Sequence, residues 1–502
     1  MDRAIKQYLS PAGIIALGLL IAHLLFTIFV YRSNVFLLDN LEAIIRTGYL
    51  PVPNTHIMAG LDGFLPAFCG GLFFTLTAGA GLVIGTFVAV YIWCSVLNRQ
   101  PVFFLVILII WELGIYKSVE ADSPWIWPLA FILIPGLVIL LTYHWTLDQI
   151  PGAGWKSILT HGVVLLIIAG TWVPNLNADA FVNIRDQVLL SNPVGRAVNS
   201  FYYRYTLYPA EAFKSMNQKQ LKTAKLDIDA PHLRNPVEKT LRRLDYLPVE
   251  TGMSTDLLVK YTGGELILSN QAQVALPVSI SRFLNSPRST LKEFSAQADH
   301  MQFIRQFTFF SLISASPLLL YCFLYLLVSS GLFMIRQPGK RTLFSALICM
   351  FMGVAFATGL YQFQNVSQPS NNNEKLHDLL GSSNWQDRVK ALKRIDAENL
   401  TISMHEAVIA KLSQSPYTAE RYWAAKCLDN SDSEKTYQLL LRLLRDPQPN
   451  VVCMALHSLG NRDDQRAVKK IRRILIAADH WYIQWYAYDA LKELGWTQPE
   501  SV

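Results

Sequence analysis

The apolar positions of this chain gather into seven long stretches, 13–31, 71–97, 102–116, 125–143, 158–173, 307–335 and 343–363, each of which predicts a membrane-spanning helix. The third and fifth are the shortest and fit tilted or partly interfacial spans. Between the first two, Phe36, Leu37, Leu38, Leu41, Ile44 and Ile45 recur at near-helical spacing beside Asp39, Glu42 and Arg46, before a stop at Pro51 and Pro53. That spacing predicts a short helix over 36–46 lying on the membrane interface. Trp125 and Trp127 open the fourth span where an aromatic belt residue belongs.

Residues 174–303 are polar and mixed in type, and they predict a small α+β domain inserted between the fifth and sixth spans. Its expected parts are an amphipathic stretch at 180–190, helices over 210–226 and 236–244, and a strand hairpin over 256–269 turning at Gly263-Gly264. From 373 onward the pattern changes again. Ala391, Ala424, Ala455 and Ala487 recur at intervals of 33, 31 and 32 residues, each followed four positions later by Ile395, Leu428, Leu459 or Leu491. Second helices are expected at 406–412, 434–444 and 465–476, so each unit reads as one helical hairpin. The fold class is therefore a multi-pass α-helical membrane protein of about seven spans, with an inserted α+β outer domain and a C-terminal all-α solenoid. Its expected divisions are a five-span region at 1–173, the insert at 174–303, two spans at 304–363, a linker at 364–372 and the repeats at 373–502.

The stretch Asn450-Val-Val-Cys-Met-Ala-Leu-His-Ser-Leu-Gly460 resembles a HEAT repeat of the short kind found in phycobilisome-lyase-like proteins. The stretches at 387–395 and 485–491 fit as first and last units. The resemblance covers the last quarter of the chain. It implies a stacked surface for protein partners and no lyase activity, since such stacks carry no chemistry of their own.

Composition agrees with the membrane reading: 52% of the 502 residues are hydrophobic and only 16% charged. The net charge of +7 is not gathered into a basic tail, which argues against nucleic-acid binding. With the N-terminus inside, Arg3, Lys6, Arg99, Lys156, Arg336, Lys340 and Arg341 fall in inner loops, against Arg32, Arg46 and Lys117 outside. Positive flanks resist transfer across a membrane. The expected location is a bacterial inner membrane with the N-terminus cytoplasmic, and with the insert and repeats periplasmic.

Candidate chemistry is sparse. The six cysteines lack metal-ligand spacing, and no nucleophile elbow, phosphate loop or zinc motif is present, so no metal, cofactor or catalytic residue is expected. Glu112 and His23 are the candidate intramembrane polar residues: Glu112 suits a proton or ion relay or, about a turn from Lys117, a carboxylate snorkelling to the interface, and the deeper His23 suits a hydrogen bond between helices, a haem ligand or pairing with Glu112. Gly81 and Gly85 have the spacing of close helix packing, and Pro128, Pro135 and Pro317 interrupt spans four and six. Phe201, Tyr202, Tyr203 and Tyr205 form an aromatic run suited to a ligand or to the membrane interface. In the repeats, Arg466, Lys469, Lys470 and Arg473 with Trp481, Tyr482 and Trp485 form the candidate partner-binding surface, suited to an acidic protein partner or to the headgroups of membrane lipids. The expected function is a non-enzymatic membrane scaffold or accessory subunit, part of a larger membrane complex, that recruits an envelope protein. The alternative is a transport component for a lipid or other hydrophobic substrate.

Overall fold

The computed structural model describes residues 10–120, 123–147, 155–175, 180–249, 255–270, 274–332, 334, 337–364 and 373–498. Arg3, Lys6, Arg336 and nearly all of the expected linker lie outside the described residues. Among the described residues, seven helices are long and apolar enough to cross a membrane: Pro11–Arg46, Phe64–Ser95, Pro101–Glu120, Ile126–Thr146, Trp155–Asn175, Gln302–Gly331 and Gly339–Tyr361.

The first of these corrects the expected interfacial helix. Ser10 caps its start, accepting from the Gly13 N–H at 3.1 Å, and no glycine or proline interrupts the chain between Tyr31 and Phe36. One helix of 36 residues results. At about 1.5 Å per residue it is about 54 Å long, well beyond a hydrocarbon core of about 30 Å. Its last turns stand clear of the apolar stretch as a post, and Asn34, Asn40, Leu41 and Ile44 are buried on it.

Close packing of small residues ties the apolar part of the first helix to the second. Added Cβ atoms would meet the Thr27 backbone nitrogen at 3.0 Å from Gly71 and the Ala22 side chain at 3.0 Å from Gly79. The two helices therefore run antiparallel with almost no side chain between them. Phe26, Phe29, Phe74 and Trp127 fill the adjoining core with the fourth helix. Gly81 packs on Ser311 of the sixth apolar helix, whereas Gly85 faces open space, so only one end of that spacing is used. Pro135 and Pro317 lie inside continuous helices, and the interruption expected there does not occur. Neighbouring helices support the backbone where a proline removes a donor.

The insert is built on a five-stranded sheet in the order β2-β1-β3-β4-β5, with β1 Lys222–Asp227, β2 Tyr246–Pro248, β3 Leu257–Thr262, β4 Glu265–Ser269 and β5 Ala275–Ser279. The β3–β4 hairpin turns at Gly263 and Gly264 with φ of +64° and +90°, the left-handed pair that a type I′ turn demands. The expected helix over 210–226 is corrected: a helix ends at Phe213, and 222–227 becomes β1, parallel to both β2 and β3. Lys222-Thr-Ala-Lys-Leu carries no decisive local period, and a parallel strand draws its partners from far along the chain.

In the C-terminal part, first helices at Trp385–Ala397, Thr418–Cys427, Pro449–Asn461 and Trp481–Glu493 alternate with second helices at Glu406–Leu412, Glu434–Leu443 and Val468–Ala477. The four register alanines, and the Ile or Leu four positions after each, are all wholly buried. Among the described residues, a leading helix at Asn373–Gly381, three complete hairpins and a closing helix form the stack. Arginines bridge successive units, Arg388 to Glu420 and Arg421 to Asp446.

Candidate functional site

The post, the insert and the repeat stack meet in a junction held by hydrogen bonds between residues far apart in the chain. Residues 183–208 run along the first-helix side of the stack and touch every unit. At the first unit, the Lys393 ammonium donates to Asn183 Oδ1 and to Asp186 Oδ2, both at 2.9 Å. At the second, the Trp423 indole N–H donates to Asp186 Oδ2 at 2.8 Å, and the Arg185 guanidinium lies 3.8 Å above the Tyr422 ring. At the third, Asn199 donates to Asn450 Oδ1 at 2.9 Å; at the fourth, the Tyr203 and Tyr482 rings are 4.8 Å apart. Asp186 is completely buried, held by Arg185, Lys393 and Trp423. A buried carboxylate persists only when cations and donors surround it, and this one is surrounded.

The loop beyond the post reaches the far end of the stack. The Asn54 amide donates to the carbonyls of Leu475, Ile476 and Ala478 at 2.9–3.0 Å, satisfying the free C-terminal carbonyls of the last second helix. The Asn54 N–H donates to Gln484 Oε1 at 2.8 Å. Leu50 and Gln498 exchange two hydrogen bonds, at 3.0 and 2.9 Å. On the insert side, Asp245 accepts from Tyr488 and Lys492, and Gln220 donates to Asp489 and to the Trp485 carbonyl. A cavity of about 20 Å³ remains where Leu41, Val52, Lys219, Asp256 and Trp481 converge, enough for about one water.

Beside that cavity, Asp256 accepts from Lys219 Nζ at 2.8 Å and from the Thr223 N–H at 2.9 Å. Burial pushes its carboxyl up, but the Lys219 ammonium and the Thr223 donors outweigh burial and hold it below the ordinary carboxylate range. A depressed pKa contributes stability above an unfolded value of about 4, and that stability is lost as pH falls through the folded value. Acidification below about pH 4 should therefore expose Thr223 and its neighbours in β1 to hydrogen exchange. Asp256→Asn should remove the pH dependence of that exposure, and an unchanged dependence would contradict this account.

Residues 406–492 match the HEAT-repeat family. No curated protein and no solved structure matches the chain. The HEAT match begins after the first helix of the first unit and ends one residue before the closing helix does.

The structure divides the candidate surface on the HEAT stack. Trp481 is buried against Tyr208, with ring centroids 5.1 Å apart, and Tyr482 meets Tyr203. Trp485 is half-buried beside Gln220. The aromatic half thus closes the molecule on itself. The basic half is free: Arg466, Lys469, Lys470, Arg472 and Arg473 are exposed on the second-helix side. Arg466 is ion-paired with Asp464 and Glu434 and lies with Lys470 over the Tyr437 ring. Lys469, Arg472 and Arg473 make no ion pair among the described residues. Of the aromatic run, Phe201 and Tyr202 are exposed, while Tyr203 and Tyr205 are half-buried. His23 makes a hydrogen bond between helices with Thr75 Oγ1 at 3.0 Å and sits edge-on to Phe68 at 4.4 Å. Glu112 is exposed on the third apolar helix, so the pairing of His23 with Glu112 does not form. His23 faces Thr75 and Phe68 on the second apolar helix, whereas Glu112 points away from the rest of the described chain.

Asp186, Asn54, Gln484 and Gln498 escaped the sequence reading. Asp186 stands in an amphipathic stretch, where a carboxylate reads as solvated, and Asn54 follows Pro53, where it reads as a turn residue. Tyr422-Trp423, on a helix whose register already fills the core, was the available signal for a docked segment.

Proposed function

We propose that the chain is a membrane scaffold or accessory subunit whose seven spans hold the insert and the HEAT stack together on the outer face, where the stack recruits another envelope protein. HEAT repeats are a protein-interaction fold. The observation that carries the reading is the division of the stack. Residues 183–208 fill its first-helix side, and the second-helix side is left open with the ridge Lys469, Arg472 and Arg473. Unpaired cations on a rigid ridge favour a partner with an acidic surface, drawn in by long-range attraction and fixed by contacts. The ordering of a domain, a post and a loop around the stack suits a platform that keeps one surface at a fixed height above a bilayer.

A photoreactive amino acid at Lys469 in the full chain, in native membranes, is expected to give a discrete adduct with an acidic protein. The adduct should disappear when Arg472 and Arg473 are both replaced by glutamate. The same probe at Trp481 should crosslink within the chain, to the segment around Tyr208. Ridge adducts that are absent, or indifferent to charge reversal, would sink the proposal.

A further inference from the structure

The helix Pro101–Glu120 is barely covered by the rest of the chain: 6% of its apolar window is buried, against 56% for Phe64–Ser95. One side does pack. Phe104 stacks on Trp93 at 4.6 Å, the Trp111 indole N–H donates to the Phe131 carbonyl, and Gly114 lies against the Phe131 ring. Away from that side, Leu105, Ile109, Glu112, Tyr116 and Val119 follow one another at spacings of four, three, four and three, and all are exposed. That alternation is the seam on which a second helix packs in a left-handed pair.

Glu112 stands in the middle of the seam, about 12 Å below the Glu120 end of a helix about 30 Å long. Helical side chains lean toward the helix N-terminus, here the inner end, so the carboxylate leans away from the nearer surface. Lys117, the cation closest to it along the helix, is engaged with Glu120 at 2.5 Å. Among the described residues Glu112 has no hydrogen-bond or ion-pair partner. Facing acyl chains, a carboxylate gains nothing for the hydration it loses, and such groups in membranes are paired.

We propose that this seam docks a transmembrane helix of another membrane polypeptide, one that carries a lysine or arginine at the depth of Glu112. The proposal rests on the membrane reading above. A second copy of this chain does not fit. Among the described residues, the seven apolar helices carry lysine and arginine only at or beyond the ends of their apolar stretches, so a copy brings no cation to that depth. A single buried polar position in an apolar seam sets the register of the pair, which is the task Glu112 performs here.

In native membranes, a photoreactive residue at Ile109 is expected to give one discrete protein adduct, whose membrane span carries a lysine or arginine near its centre. The same probe at Ile110, which points away from the seam, should give lipid adducts. Glu112→Leu, which is benign on an exposed apolar face, should cut the Ile109 adduct roughly tenfold or more, and so should leucine in place of the partner's cation. An Ile109 adduct with a second copy, with lipid alone, or with a protein whose capture ignores Glu112→Leu would overturn the proposal. Alkaline carbonate extraction separates this failure from that of the membrane reading. Release of the full chain to the supernatant refutes the spans themselves, while a retained chain with lipid adducts alone refutes only the seam.

Discussion

Replacing Asp186 by leucine is expected to release residues 183–208 from the HEAT stack, at a loss of about 3–5 kcal/mol. The magnitude follows from what remains. Lys393 and Arg185 keep their largely covered positions but lose the carboxylate that neutralises them, and the Trp423 indole loses its acceptor. Stranded buried cations cost more than the pair itself contributes. Hydrogen exchange on the full chain in detergent should show the segment and the first helices of the first two units losing protection together. A double variant, Asp186→Leu with Lys393→Met, should recover part of that protection, since an apolar pair of similar volume removes the stranded charge. Unchanged protection in the single variant would mean that the segment is held by its aromatic contacts alone.

Ala455→Asp is expected to destabilise the repeat stack by about 3 kcal/mol or more. Ala455 is wholly buried where the first helix of the third unit packs on its neighbours, and a carboxylate there is cut off from water. Gln448→Asp, at the N-cap of the same helix, places its charge at the positive end of the helix dipole and should change stability by about 0.5 kcal/mol or less. Thermal unfolding followed by the helical signal separates the two. Similar losses from both would show that the repeat register is displaced from the alanines.

How much of this was legible in the sequence differs by element. The alanine register was legible because a repeated unit must bury the same face each time, and the recurrence averages out local ambiguity. The glycine hairpin was legible because two left-handed residues in succession leave few other readings. The edge of the first apolar helix was not. The fall in hydropathy after Tyr31 marks where lipid contact is expected to end and says nothing of where the backbone stops being helical, and without a breaker the helix continues into the post. Strand β1 was hidden because its parallel neighbours lie twenty and more residues away and supply most of what makes it a strand.

By itself the sequence determined seven helices of membrane length, a period of about 32 residues in the last quarter and the basic ridge between the last two first helices, since each rests on local composition and spacing. Only the tertiary structure decided which side of the HEAT stack is free. That depends on Asp186, Asn54 and Gln498 finding partners more than 200 residues away, where a lone polar side chain looks the same whether it faces water or a buried lysine. The pattern of polar and apolar positions records that a face is buried or solvated. Its occupant is set by long-range pairing, which no local spacing encodes.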